Sequence, residues 1–133
     1  MFEYNTRVNF YNCDPAGILF FAEIFKFAHS AYEVFLTNLN LNKNYFNDDK
    51  IALPIIKTSA EYSKPLKSGE KIKIQLFVTQ IKENSFEISY NIYDNSNELC
   101  CKVVTVHVCI DKMTSKKVGL DYEFVKKITE YKC

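Results

Sequence analysis

From Leu53 onward the chain alternates. In KIKIQLFVTQIK the apolar residues Ile72, Ile74, Leu76, Val78 and Ile81 keep near every second position, and in SFEISYNIYD the residues Phe86, Ile88, Tyr90 and Ile92 share one face. A period of two marks half-buried strands. Ser68-Gly69, Glu83-Asn84 and the DNSN run at 94–97 are turn signals between them, short enough to make antiparallel hairpins. ELCCKVVTVHVCID is apolar on both faces, which predicts a central strand covered on both sides, by another subunit if need be. LPIIKTSAEYSKPL is a further extended segment, ended by Pro65. Residues 2–11 also alternate. Phe2, Tyr4, Thr6, Val8 and Phe10 form one face, with Glu3, Asn5, Arg7, Asn9 and Tyr11 on the other, so a first strand is expected over that range.

The period changes after a turn. Cys13-Asp14-Pro15-Ala16-Gly17 places Asp, Pro and Gly at the first, second and fourth positions of a type I turn, and the chain reverses there. Beyond it, at the helical spacing of about 100° per residue, Glu23, Lys26, Ser30, Glu33 and Thr37 fall on one narrow stripe. Phe21, Ile24, Phe25, Phe27, Ala28, Ala31, Tyr32, Val34, Phe35 and Leu36 cover the remaining arc. A helix so apolar cannot lie on a surface and must be wrapped by a curved sheet. It is expected to start near Phe20 to Ala22 and to fade by TNLNLNKN, whose asparagines favour turns. Residues 40–51 form a polar connection with a short helical turn around Tyr45 to Asp48, and DYEFVKKITEYKC from Asp121 forms a small amphipathic C-terminal helix. With neither linker nor repeat, residues 1–133 read as one α+β domain, an antiparallel sheet curled around one long helix.

Composition narrows the partners. A chain of 133 residues with 47% hydrophobic content suits a single core, and 17 basic against 16 acidic residues give no reason to expect nucleic acid or an anionic membrane. No apolar run reaches membrane-spanning length and MFEYNTRVNF lacks the order of a signal peptide, so the cytoplasm is the default location. Five cysteines, two of them adjacent at 100 and 101, read as reduced thiols. Neither a C-x-x-C pair nor a histidine at ligand spacing occurs, so no metal site is expected. No nucleotide-binding loop or serine-hydrolase elbow is present.

The segment FYNCDPAGILFFAEIFKFAHSAYEVFL resembles the opening of the hotdog-fold acyl-CoA thioesterases of the 4-hydroxybenzoyl-CoA thioesterase group: an aromatic strand end, a D-x-x-G turn preceded by Cys or Thr, then an apolar helix. Ala52-Leu53-Pro54-Ile55, Lys67-Ser68-Gly69-Glu70, Val106-His107-Val108-Cys109-Ile110 and His29-Ser30-Ala31-Tyr32-Glu33 are most similar to the branch that hydrolyses 1,4-dihydroxy-2-naphthoyl-CoA in quinone synthesis. The likeness spans nearly the whole chain. It implies a hotdog fold, a homodimer or homotetramer with active sites at subunit interfaces, and a catalytic acid at Asp14 that attacks the thioester carbonyl or activates water. It implies no cofactor, coenzyme A being part of the substrate. By family position the backbone N–H groups of Phe21, the main donor, and of Gly17 receive the oxyanion, with Gly17 also letting the chain approach the thioester closely. Relatives often carry Tyr or His at position 21, so any side-chain role there is lost.

The chemistry fits those positions. A thioester carbonyl needs an oxygen nucleophile and stabilisation of the oxyanion that forms, and unpaired N–H groups at a helix N-terminus supply the second. Taken alone, an Asp-Pro turn is usually structural, and only the family match makes Asp14 catalytic. Cys13 reads as a small buried hydrophobe, since no base accompanies it. His29 faces the acyl pocket, a partner subunit or solvent. His107, among valines, reads as a hydrogen-bonded core histidine. Lys82 is a solvated turn lysine or, by the resemblance, a contact for the nucleotide end of coenzyme A. The alternatives are a thioesterase for short or medium aliphatic acyl-CoA or acyl-carrier-protein thioesters, and a non-catalytic acyl-CoA binder.

Overall fold

A computed structural model describes residues 1–133. Seven strands and two helices follow one another: β1 Phe2–Arg7, α1 Glu23–Asn38, β2 Ile51–Ala52, β3 Ile55–Tyr62, β4 Lys71–Ile81, β5 Ser85–Tyr93, β6 Leu99–Val108, β7 Ile110–Asp111 and α2 Tyr122–Thr129. Five strands form one antiparallel sheet in the order β1-β4-β5-β6-β3, and β2 pairs with β7 in a separate ribbon. The ribbon is two residues wide, too short for any periodic signal. β5, rather than β6, is the middle strand. The outer face of β6 is only partly covered within one chain, with Lys102 exposed and Val104 and Val106 half-buried.

The sheet curls around α1. Ile24, Phe27, Ala28, Ala31, Tyr32, Phe35 and Leu36 are buried, so this helix is held by packing against the sheet. Burying each larger side chain contributes about 1.5–3 kcal/mol. Lys26, Ser30, Glu33 and Thr37 are exposed, as the stripe predicts, but so are Phe21 and Val34. The helix stops where Asn40 takes a left-handed φ of 52°, a conformation asparagine tolerates. Beyond it, Tyr45 to Asp48 forms no helix. A single turn, closed by the Asn47 N–H on the Asn44 carbonyl at 3.0 Å, stands there instead.

The first strand is shorter than its alternation suggests. The Asn9 N–H donates to Asn12 Oδ1 and the Asn12 N–H to the Asn9 carbonyl, both at 2.9 Å, winding Phe10–Asn12 into a turn of 3-10 helix that swings Phe10 and Tyr11 out of the core to 84% and 79% exposure. Beyond the reach of β1 the chain terminus completes the edge of β4: the Val78 N–H donates to the Tyr131 carbonyl at 3.0 Å and the Cys133 N–H to that of Val78 at 3.3 Å. At the other edge of the sheet, β3 pairs only with β6 and is exposed along almost its whole length.

Candidate active site

Residues 12–20 fold into a tight hairpin. The Asp14 N–H donates to the Ile18 carbonyl and the Phe20 N–H to that of Asn12, both at 2.9 Å, and Cys13 bridges to Leu19 between them. The predicted turn closes the loop through the Gly17 N–H on the Asp14 carbonyl at 3.0 Å, with Gly17 at a φ of 77° that strains an L side chain. A neighbouring loop anchors it from outside: Leu19 N–H donates to the Leu66 carbonyl at 2.8 Å and Ser68 N–H to that of Gly17 at 3.1 Å. Asp14 therefore stands on a loop held on two sides.

Its carboxylate is exposed and half used. Oδ1 accepts the N–H groups of Ala16 at 2.9 Å and Ile18 at 3.4 Å, while Oδ2 has no protein partner. Phe21 follows Ile18 by three residues, so at most about 11 Å of chain separates the hairpin from the helix start. That start is open. The N-cap residue Ala22 offers no capping side chain, the first-turn bonds from Ile24 and Phe25 are long at 3.4 Å, and the N–H groups of Phe21 and Ala22 meet no protein acceptor. Unpaired amides at the positive end of a helix suit developing negative charge on oxygen. The Gly17 N–H, by contrast, is engaged by Asp14. Of the two expected backbone positions only Phe21 presents a free donor, and Ala22 is a second one that sequence reasoning missed. Glu23 does not compete as an acid, since Lys26 at 2.9 Å and the Asn12 amide at 3.3 Å hold its carboxyl below the usual range.

An apolar cleft of about 320 Å³ opens beside the helix start, lined among others by Ile18, Phe21, Ile24, Tyr62, Pro65 and Leu66. Its size suits a small aromatic group. Asp14 stands outside the lining, next to Ile18. Tyr62, the last residue of β3, donates its hydroxyl to the Phe21 carbonyl. Burial of the ring raises that phenol above its ordinary value, so it remains a donor at neutral pH.

His29 and Lys82 lie elsewhere. His29 lines a cavity of about 200 Å³ with Tyr32, Tyr45, Phe46 and Ile55, at the start of β3. Lys82 is exposed in the turn that the Lys82 N–H closes on Ser85, and the register from Phe86 through His107 to Ile55 puts it at that same end of the sheet. The eight residues of β3 thus separate Lys82 from Tyr62 and the hairpin by roughly 23 Å at strand rise, whereas His29, two turns into α1, lies about 12 Å of helix rise from Phe21. His107 is the core histidine expected. It is fully buried, its Nε2 lies 2.9 Å from Thr105 Oγ1, and its ring stacks between Phe86 and Tyr32 at 4.8 and 4.4 Å. Cys13 is half-buried with Sγ 3.6 Å from the Asn9 carbonyl. No helix is long and apolar enough to cross a membrane.

A long helix wrapped by a five-stranded antiparallel sheet and entered from a short hairpin defines a hotdog protein. Residues 8–128 match the thioesterase-like superfamily, and the chain belongs to it. Among proteins it resembles, a 1,4-dihydroxy-2-naphthoyl-CoA hydrolase from Gloeothece citriformis is 34% identical over 90% of this chain and 86% of its own length. One of the same description from Nostoc punctiforme is 34% identical over 94% and 84%. The crystal structure of a 1,4-dihydroxy-2-naphthoyl-CoA thioesterase from Synechocystis superposes with a TM-score of 0.90 at 28% identity, covering 97% of this chain and 96% of that one.

Proposed function

We propose that the protein hydrolyses an aromatic acyl-coenzyme A to the free acid and coenzyme A, with Asp14 as the catalytic acid-bearing residue. The observation that carries this is a carboxylate with one unpartnered oxygen on a hairpin that runs directly into two unpaired amides at a helix start. The thioester oxygen accepts from Phe21 and Ala22 N–H, which stabilises the charge that develops as the carbonyl carbon is attacked. Asp14 Oδ2 delivers that attack, directly or through a water it deprotonates. The carbon–sulfur bond then breaks and the sulfur leaves as the coenzyme A thiolate; where Asp14 attacks directly, water hydrolyses the resulting Asp14–acyl anhydride and restores the carboxylate, and in either route the proton that the water gives up goes to the thiolate. Water is the only co-substrate, and no metal or other cofactor enters. The 1,4-dihydroxy-2-naphthoyl-CoA hydrolases among its relatives support the aromatic, dihydroxynaphthoyl-like acyl group.

The working unit in this reading is a homodimer or a tetramer of such dimers. β3 is a free, eight-residue edge with Ile56 59% exposed, a surface that invites strand pairing. Antiparallel pairing of β3 with its copy across a twofold axis sets the Ile55 end of one protomer against the Tyr62 end of the other. His29 and Lys82 of one subunit then approach Asp14 and Phe21 of its partner, as substrate-binding residues for the acyl group and the nucleotide. Within a single chain Lys82 stays at the far end of β3 from Tyr62.

The test is a panel of aryl and aliphatic acyl-CoA esters with free-thiol detection, run on wild type and Asp14→Asn. Turnover of aryl esters by wild type, lost on substitution, supports the reading. Binding without turnover in both makes the protein an acyl-CoA binder instead.

A further inference from the structure

Whereas Asn12 reaches only the Glu23 side chain at the open helix start, Tyr62 sends its side chain from another element onto the backbone there. Its hydroxyl donates to the carbonyl of Phe21 across 41 residues of sequence. That carbonyl belongs to the same peptide unit as the Ala22 N–H, one of the two donors left unpaired. A peptide group is a single conjugated system, so a bond accepted at its oxygen draws density from its nitrogen and makes the N–H a stronger donor. The bond is also mechanical. The helix start lacks a capping side chain and its first internal bonds are long, and the hydroxyl from β3 fixes the Phe21–Ala22 peptide plane in their place. The same ring forms one wall of the apolar cleft next to Phe21 and Ile24.

We infer that Tyr62 is a positioning residue for catalysis: through its hydrogen bond to the Phe21 carbonyl it orients and polarises the amide that receives the thioester oxyanion. This rests on the reading of the helix start as the oxyanion site. Oxyanion charge exists only as the reaction proceeds, so the benefit appears in turnover and not in substrate binding. Tyr62 is also the last residue of the edge through which a second copy is proposed to pair, so dimer formation and alignment of the donor share one residue.

Tyr62→Phe removes the hydroxyl and keeps the ring. The expected result with an aryl acyl-CoA is a kcat 5- to 30-fold below wild type, roughly 1–2 kcal/mol of transition-state stabilisation by the usual conversion, with KM within twofold. The dimer and the thermal midpoint stay as in wild type. A second readout needs no turnover: in ¹⁵N–¹H spectra the Ala22 amide proton moves upfield on Tyr62→Phe, while amides of β4 and β5 stay in place. A raised KM with kcat unchanged makes Tyr62 a cleft wall only and overturns the inference. So does an unmoved Ala22 amide, or wild-type kcat. Asp14→Asn run beside it separates the two readings. If Asp14→Asn keeps full turnover the assignment of the acid fails, while the Ala22 shift still decides whether Tyr62 acts on the amide.

Discussion

Asp14 and His107 are the two residues of this chain with the most evident capacity for proton chemistry, and their surroundings are opposite. His107 lies fully buried, bonded through Nε2 to Thr105, which in turn meets the Tyr90 hydroxyl at 3.1 Å, with an aromatic ring on each face. Asp14 is exposed on a loop that leads into the helix start, with one carboxylate oxygen bonded and the other open, and two amides of that helix start are open as well. His107 Nδ1 also lacks a hydrogen-bond partner, but it is sealed inside the core, whereas at Asp14 folding leaves donors and an acceptor unmatched at the surface. Residue type does not separate catalysis from structure here, but unmatched bonding capacity at the surface does.

The sharpest way to break the contrast is to exchange one atom of Asp14. Asp14→Asn is expected to lower kcat by about 10²–10⁴ with the thermal midpoint within a few degrees of wild type, checked by free-thiol release and a melting curve. His107→Ala should do the reverse. It empties the space between Phe86 and Tyr32 at a cost of about 3 kcal/mol in denaturant unfolding, while kcat of the folded fraction stays within threefold. Acid sharpens the same comparison. Burial pushes His107 down to about 4 from an ordinary 6.5, so the unfolded chain takes up a proton that the folded chain refuses. Its contribution is therefore complete above pH 6.5 and declines as pH falls towards 4, by roughly 3 kcal/mol. Denaturant titrations from pH 7 to 4 should show this fall in wild type and lose its histidine part in His107→Phe. A charge on the free edge tests whether the open site needs its partner. Ile56→Glu should move the protein from dimer to monomer in sedimentation and lower turnover about tenfold or more. The smallest effect belongs to His29→Ala, expected to raise KM for a hydroxylated aryl ester several-fold while kcat changes little.

Much of the fold is legible in the chain because β4, β5 and α1 each bury one clean face, and a period of two or 3.6 announces such a face. The 3-10 turn at Phe10–Asn12 is not, because Phe10 and Tyr11 continue the alternation while the Asn12 side chain, silent in any hydropathy pattern, accepts the Asn9 N–H and closes the turn. The interior place of β5 and the half-covered face of β6 follow from strand order, which the apolar content of a single strand does not encode. At the site, the turn chemistry of Asp14 to Gly17 was readable as local preference, and the helix start as a change of period. What escaped was relational. Gly17 gives its N–H to the turn, Ala22 keeps one free, and Tyr62 arrives from a distant strand as one more aromatic in an exposed edge. The distance of Lys82 from Asp14 is likewise a property of the sheet, since the local pattern of its turn says nothing of which end of β3 it joins.

A structure of the protein with a ketone analogue, an aryl group joined through C(=O)–CH₂ to the sulfur of coenzyme A, tests the central claim most directly. The account predicts the ketone oxygen about 2.7–3.1 Å from the amide nitrogen of Phe21 or Ala22, with Asp14 Oδ2 facing the carbonyl carbon and His29 of the partner subunit near the ring. An aryl ketone seated elsewhere, with Asp14 left in open solvent and both amides hydrated, contradicts it.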